Sequence, residues 1–241
     1  MSPDRNAAPS LDRLIVALDV ESGSHALELA EKIRPVTRFF KIGSHLFTLE
    51  GPALVAQLVE RDCSVFLDLK FHDIPQVVAA AVRSAARLGV SMLTLHAAGG
   101  LEMLYAAVGA LDEFLETRSP LLLGVTVLTS FSPDEWKRLF PNDSIDEAAQ
   151  RLAALCQTAG LKGLVCSPHE LDKLTDVPLK KVVPGIRPAG SNPDDQQRTM
   201  TPAQAITAGA DYLVVGRPIT RAANPEEAAG RIRREIEGSR R

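Results

Sequence analysis

At 241 residues, with 45% hydrophobic and 24% charged side chains, the chain has room for one large domain and the composition of an ordinary globular protein. Its net charge of −3 gives no general attraction to nucleic acid or to anionic membranes, so a basic spot reads as a local ligand site. No apolar run approaches the roughly 18 residues of a membrane span, and the polar start MSPDRNAAPS has no signal-peptide core. Residues 1–11 are therefore expected to be a frayed tail on a cytoplasmic protein.

Beyond the tail, short β-rich apolar runs alternate with longer helical patterns. Strands are predicted over residues 14–19, 39–43, 65–70, 92–97, 121–128, 163–167, 181–186 and 212–216. The first ends on Asp19. In the helical segment after it, Ala26, Leu29, Ala30 and Ile33 recur at i, i+3, i+4 and i+7, with Ser22 or Ser24 available as N-cap. The second strand holds Lys41 and the third Asp68 and Lys70. Pro75 then opens a helix at a position where its missing N–H costs nothing. His96 ends the fourth strand, Thr129 and Ser130 follow the fifth, and Ser167 ends the sixth. Arg187 follows the seventh, and Gly216 with Arg217 closes the eighth. Trp136 and Phe140 read as helix-packing residues four apart, and Cys63, Cys156 and Cys166 as small core residues.

Eight βα units without linker or repeat argue for one α/β domain over residues 12–241, a single closed (β/α)8 TIM barrel. An open doubly wound sheet is the alternative, but no GxGxxG follows the first strand. Barrels collect their chemistry at the C-terminal ends of strands, which is where the polar residues above fall. In the third strand, residues two apart share a face, so Asp68 and Lys70 point together while Leu67 and Leu69 face the helices. A structural ion pair would explain that pattern alone. Asp73 in the next loop, Lys41 and Asp19 extend it into an alternating acid–base cluster in which each member keeps its neighbour charged.

Phe40-Lys41-Ile42-Gly43, Asp68-x-Lys70-x-x-Asp73-Ile74-Pro75, Val127-Leu128-Thr129-Ser130, Pro184-Gly185-Ile186-Arg187-Pro188, Asp195-Gln196 and Gly216-Arg217-Pro218-Ile219 together resemble the orotidine 5′-phosphate decarboxylase family. The resemblance runs in the family's order from about residue 14 to 220. It implies decarboxylation of orotidine 5′-phosphate to uridine 5′-phosphate without metal or other cofactor, by a homodimer with shared active sites. It further implies a charged array of Lys41, Asp68, Lys70 and Asp73. Lys70 would be the proton donor, Asp68 would lie against the substrate carboxylate, and Asp73 would serve the partner's site. Asp19, Lys41 and the partner's Asp73 would hold the ribose, and Thr129 with Ser130 the pyrimidine edge.

The phosphate end is legible without the family. Phosphate sites in such barrels form from the loops after strands seven and eight. Here those loops hold Arg187 and Gln196, in a long Gly/Pro/Asp-rich stretch suited to a lid, and Gly216 with Arg217. One position departs from the family: Gln76 is followed by Val77 where Asp-Ile-Pro-x-Thr is usual. His72 reads as loop packing, His96 as filling of the barrel mouth, and His25, His45 and His169 as surface residues.

Two rival readings remain. A Mg²⁺-dependent 3-keto-sugar-phosphate decarboxylase or hexulose-phosphate synthase shares DxKxxD, but has a carboxylate where this chain has Lys41, a cation that would repel the metal. A non-catalytic phosphate-binding barrel would bind nucleotide without turnover.

Overall fold

The computed structural model describes residues 13–114, 119–188 and 199–239. The expected tail over residues 1–11 and Gln196 lie outside them. Eight parallel strands close into a barrel in chain order: β1 (Leu14–Ala17), β2 (Phe39–Gly43), β3 (Ser64–Phe71), β4 (Met92–His96), β5 (Leu121–Val125), β6 (Gly163–Val165), β7 (Lys180–Val183) and β8 (Tyr212–Val215). The last pairs with the first, Leu213 beside Leu14 and Val215 beside Val16. This is the (β/α)8 barrel that the alternating pattern predicts. Several strands stop short of their apolar runs. The fifth, predicted over residues 121–128, ends at Val125, because Val127 and Leu128 line a cavity instead of continuing the ladder.

Local chemistry accounts for the helices around it. In α1 (Gly23–Ile33) the choice of N-cap falls on Ser22, whose side chain accepts the His25 N–H. Ala26, Leu29, Ala30 and Ile33 are all buried, as their spacing requires. Two helices follow β2, α2 (Ser44–Glu50) and α3 (Pro52–Glu60), divided at Gly51, whose φ of +65° suits only a residue without Cβ. Pro75 heads α4 (Pro75–Arg87), and α5 (Gly100–Gly109) packs beside it. Serine capping boxes start both α6 (Pro133–Leu139) and α7 (Ile145–Thr158). Between β6 and β7 a 3₁₀ turn (Pro168–Leu174) stands in for a full helix. The layer ends with α8 (Pro202–Thr207), α9 (Arg217–Thr220) and α10 (Pro225–Gly238). Among the described residues, no helix is long and apolar enough to cross a membrane.

The larger core lies between barrel and helices; a smaller one fills the barrel itself, from Ile15, Ala17, Phe39, Phe66, Met92, Leu123, Val182 and Val214. Burying a side chain such as Phe66 contributes about 1.5–3 kcal/mol. The period-two geometry of strands then decides what sits above that plug. Two residues after Phe39 comes Lys41, after Phe66 comes Asp68, and after Met92 comes Thr94. An apolar floor thus carries a polar mouth. Cys63, Cys156 and Cys166 are buried free thiols, consistent with their reading as core residues.

Candidate active site

Two ammonium groups bracket one largely buried carboxylate at the barrel mouth. Lys70 Nζ donates to Asp68 Oδ1 at 2.8 Å, and Lys41 Nζ stands 3.6 Å from Asp68 Oδ2. Lys41 also donates to Asp19 Oδ1 at 3.2 Å, which ties the ends of β1, β2 and β3 together. The side chains of Lys41 and Asp68 are only 11% and 13% exposed, so their charges are weakly screened. Burial alone would raise the proton affinity of Asp68. The Lys41 and Lys70 charges, with hydrogen bonds from Lys70 and Thr94, reverse that and hold its carboxyl below the ordinary range. Asp68 is therefore an anion at neutral pH.

The strand reaches this arrangement by an irregular route. Alternation predicts that Asp68 and Lys70 share a face of a regular strand, and they do meet, but β3 is bulged there. Leu67 pairs with Leu93 and Phe71 with Leu95, so Asp68, Leu69 and Lys70 together stand opposite Thr94 alone. Lys70 takes a left-handed backbone, with φ of +51°, which disfavours a side chain. Thr94 Oγ1 accepts the Lys70 N–H at 2.8 Å and contacts Asp68 Oδ1 at 3.0 Å. Thr94 is not among the site residues that the sequence predicts. A β-branched residue in a strand carries no local sign of such a role.

Next to the cluster opens a cavity of about 560 Å³, its solvent mouth included, within the range for small-molecule sites. Lys41, Asp68, Lys70 and Thr129 supply its polar lining, while Phe66, Val125, Val165 and Val214 supply apolar walls. Such a space suits a small ring with one charged edge. Ser130, predicted beside Thr129, is exposed. Gly43, in β2, touches the cluster as well: a Cβ there would meet Lys41 Nζ at 3.0 Å and Asp19 Oδ1 at 3.5 Å.

The predicted phosphate residues fall at adjoining strand ends. Gly216 follows β8 and lies against Ala17 and Asp19 at the end of β1, and Arg217, half-buried, begins α9. Arg187 follows β7, is nearly buried, and donates through its guanidinium to the Ile186 carbonyl at 3.1 Å. Its N–H bonds the Met200 carbonyl at 3.0 Å, which pins the two ends of the long loop together.

Other candidates stay apart. Asp73 is exposed, and its Oδ1 accepts the Ile74 N–H at 2.6 Å; among the described residues no ion pair joins it to Lys70. Ser167, on the predicted rim, is buried and caps the 3₁₀ turn. His72 stacks on His96, while His25, His45 and His169 are exposed. Trp136 and Phe140 pack with ring centroids 4.4 Å apart, as their spacing predicts. Among the described residues, no group of three His, Cys, Asp or Glu is arranged to hold a metal ion.

A family model described as orotidine 5′-phosphate decarboxylase / HUMPS family matches residues 12–232. A protein named orotidine 5′-phosphate decarboxylase from Shewanella sediminis is 49% identical over 226 residues, covering 92% of this chain and 96% of its own length. One of the same name from Actinobacillus succinogenes is 51% identical over 218 residues, covering 89% and 94%. Among solved structures, orotidine 5′-phosphate decarboxylase from Lactobacillus acidophilus superposes with a TM-score of 0.79 at 34% identity, covering 92% of this chain and 98% of that one.

Proposed function

The chain belongs to the orotidine 5′-phosphate decarboxylase / HUMPS family, and on that premise we propose that it decarboxylates orotidine 5′-phosphate to uridine 5′-phosphate at the Lys41–Asp68–Lys70 cluster. It is a carboxy-lyase of pyrimidine nucleotide synthesis. The bond from C6 of the pyrimidine to its carboxylate breaks, the electron pair stays on C6, carbon dioxide leaves, and an ammonium proton of Lys70 moves to C6. The ring offers that electron pair no delocalisation, so fixed charge must stabilise the transition state.

The observation that carries this reading is the pairing of a largely buried anion with a cationic proton donor 2.8 Å away. Asp68 sits against the substrate carboxylate, a repulsion relieved as carbon dioxide departs, while Lys70 faces the charge that grows on C6. Lys41 and Asp19 hold ribose hydroxyls, Thr129 and Ser130 the pyrimidine edge, and Arg217 with Gly216 the phosphate. Arg187 adds a second guanidinium at the phosphate end, and Gln196, expected there too, lies outside the described residues. Lys41 argues against the Mg²⁺-dependent reading, because its ammonium already occupies the point between the Asp19 and Asp68 carboxylates.

The working unit is a homodimer in which the partner's Asp73 completes each site. Asp73 is exposed beside Ile74 and Val77, which are 63% and 47% exposed, an apolar surface that a second copy would cover. Val77 takes the place of the family's threonine, so the ribose lacks that hydroxyl contact and is bound more weakly or bridged differently, with the chemistry intact.

Purified protein mixed with orotidine 5′-phosphate and EDTA should lose the substrate's pyrimidine absorbance and release uridine 5′-phosphate. An unchanged spectrum would overturn the assignment. Activity that EDTA abolishes and Mg²⁺ restores would favour the metal-using relatives instead.

A further inference from the structure

Resting on the decarboxylase reading, we propose that Thr94 is a positioning residue for the reaction, its one hydroxyl fixing Asp68 by the carboxylate and Lys70 by the backbone. Thr94 is fully buried at the middle of β4 and faces the three-residue bulge of β3 by itself. The bulge takes the Lys70 N–H out of the ladder, and a buried N–H without an acceptor is costly. Thr94 Oγ1 supplies that acceptor at 2.8 Å. A hydroxyl has one proton and two lone pairs, so it accepts from Lys70 and still donates to Asp68 Oδ1, 3.0 Å away.

Asp68 Oδ1 is also the atom that receives the Lys70 ammonium, at 2.8 Å. The three residues therefore close a ring: the Lys70 N–H donates to Thr94, the Thr94 hydroxyl to Asp68, and the Lys70 ammonium to the same Asp68 oxygen. Inside that ring the left-handed turn at Lys70, φ +51°, is held in place, and the stem of the lysine starts from a fixed point. The hydroxyl also contributes to keeping Asp68 ionised. Thr94 need not touch the substrate for any of this. It sets where the acid and the base stand before substrate arrives.

Thr94→Val keeps the shape and removes the hydroxyl; Thr94→Ser keeps the hydroxyl and removes the methyl. With orotidine 5′-phosphate, Thr94→Val should lower kcat about tenfold or more with KM within about threefold, the scale of one lost buried hydrogen bond. Thr94→Ser should keep kcat within about threefold of the parent. In ligand-free protein, carboxyl ¹³C titration should show the Asp68 midpoint raised in Thr94→Val and unmoved in Thr94→Ser. Thr94→Ala replaces the valine variant if that variant does not fold. Parental kcat in Thr94→Val, or equal losses in the valine and serine variants, would overturn the proposal. A parent protein without turnover would instead count against the decarboxylase reading, while the titration would still decide whether Thr94 governs Asp68.

Discussion

His72 and His96 lie ring on ring, with centroids 5.2 Å apart and planes 21° from parallel. The stack ties the loop that carries Asp73 to the end of β4. Burial, then the neighbouring His72 and Lys70, push the proton affinity of His96 below that of an ordinary histidine. A group whose folded pKa is depressed stabilises the fold above its unfolded pKa, here 6.5, and loses that contribution as pH falls through the lowered value. The urea midpoint should therefore decline as pH drops from about 7.5 to about 5, with a shallower decline in His96→Gln. Identical slopes for the two proteins would remove His96 from this role.

The dimer proposal has a direct check by mixing. Lys70→Ala and Asp73→Asn should each be nearly inactive alone, for different reasons. When the two are unfolded and refolded together, one site of each mixed dimer combines an intact Lys70 with the partner's intact Asp73. Random pairing should restore about a quarter of parental activity, since half the dimers are mixed and each has one good site of two. No recovery in a mixture shown to contain mixed dimers would place Asp73 outside the partner's site.

Gly43→Ala should damage chemistry more than folding. Its backbone φ of −93° suits any residue, so a methyl group adds no backbone strain. The new Cβ would stand 3.0 Å from Lys41 Nζ, and the flexible lysine end must move away. We expect kcat/KM to fall about tenfold, the scale of small misplacements in a charged site, with the melting temperature nearly unchanged. Full activity would mean that Lys41 has slack at this point.

Arg217→Ala should act through the phosphate. Loss of a charge-assisted contact should reduce kcat/KM for orotidine 5′-phosphate on the order of a hundredfold. On orotidine, which lacks the phosphate, the variant and the parent should perform alike. Equal losses on both substrates would contradict the assignment.

Much of the candidate site is legible because its residues announce themselves by local pattern. Asp68 and Lys70 alternate in an apolar strand, Lys41 interrupts another, and Gly216 with Arg217 follows a third. All of them sit in or just after strands that the βα rhythm marks out. The bulge was not legible, because it is a relation between two strands: only the pairing of Leu67 with Leu93 and of Phe71 with Leu95 reveals it. Thr94 was missed for the same reason, and the contact of Gly43 with the Lys41 ammonium likewise depends on where a neighbouring side chain ends. Strand ends were overdrawn where apolar residues serve a cavity, since Val127 and Leu128 look in sequence like more of β5. The 3₁₀ turn after β6 had no distinctive period to declare it.

The pairing of β1 with β8 bears on how the protein comes into being. Leu14 leaves the ribosome among the first residues of the barrel, yet its partner Leu213 follows only after the seven earlier strands have been made. Until then β1 has one open edge, and the pocket lacks the wall that Val214 provides. A contact of such long range is slow to form and leaves unpaired strand exposed meanwhile. The barrel thus closes in one late step: a chain cut short before Tyr212 would hold Lys41, Asp68 and Lys70 and still have no closed barrel mouth to put them in.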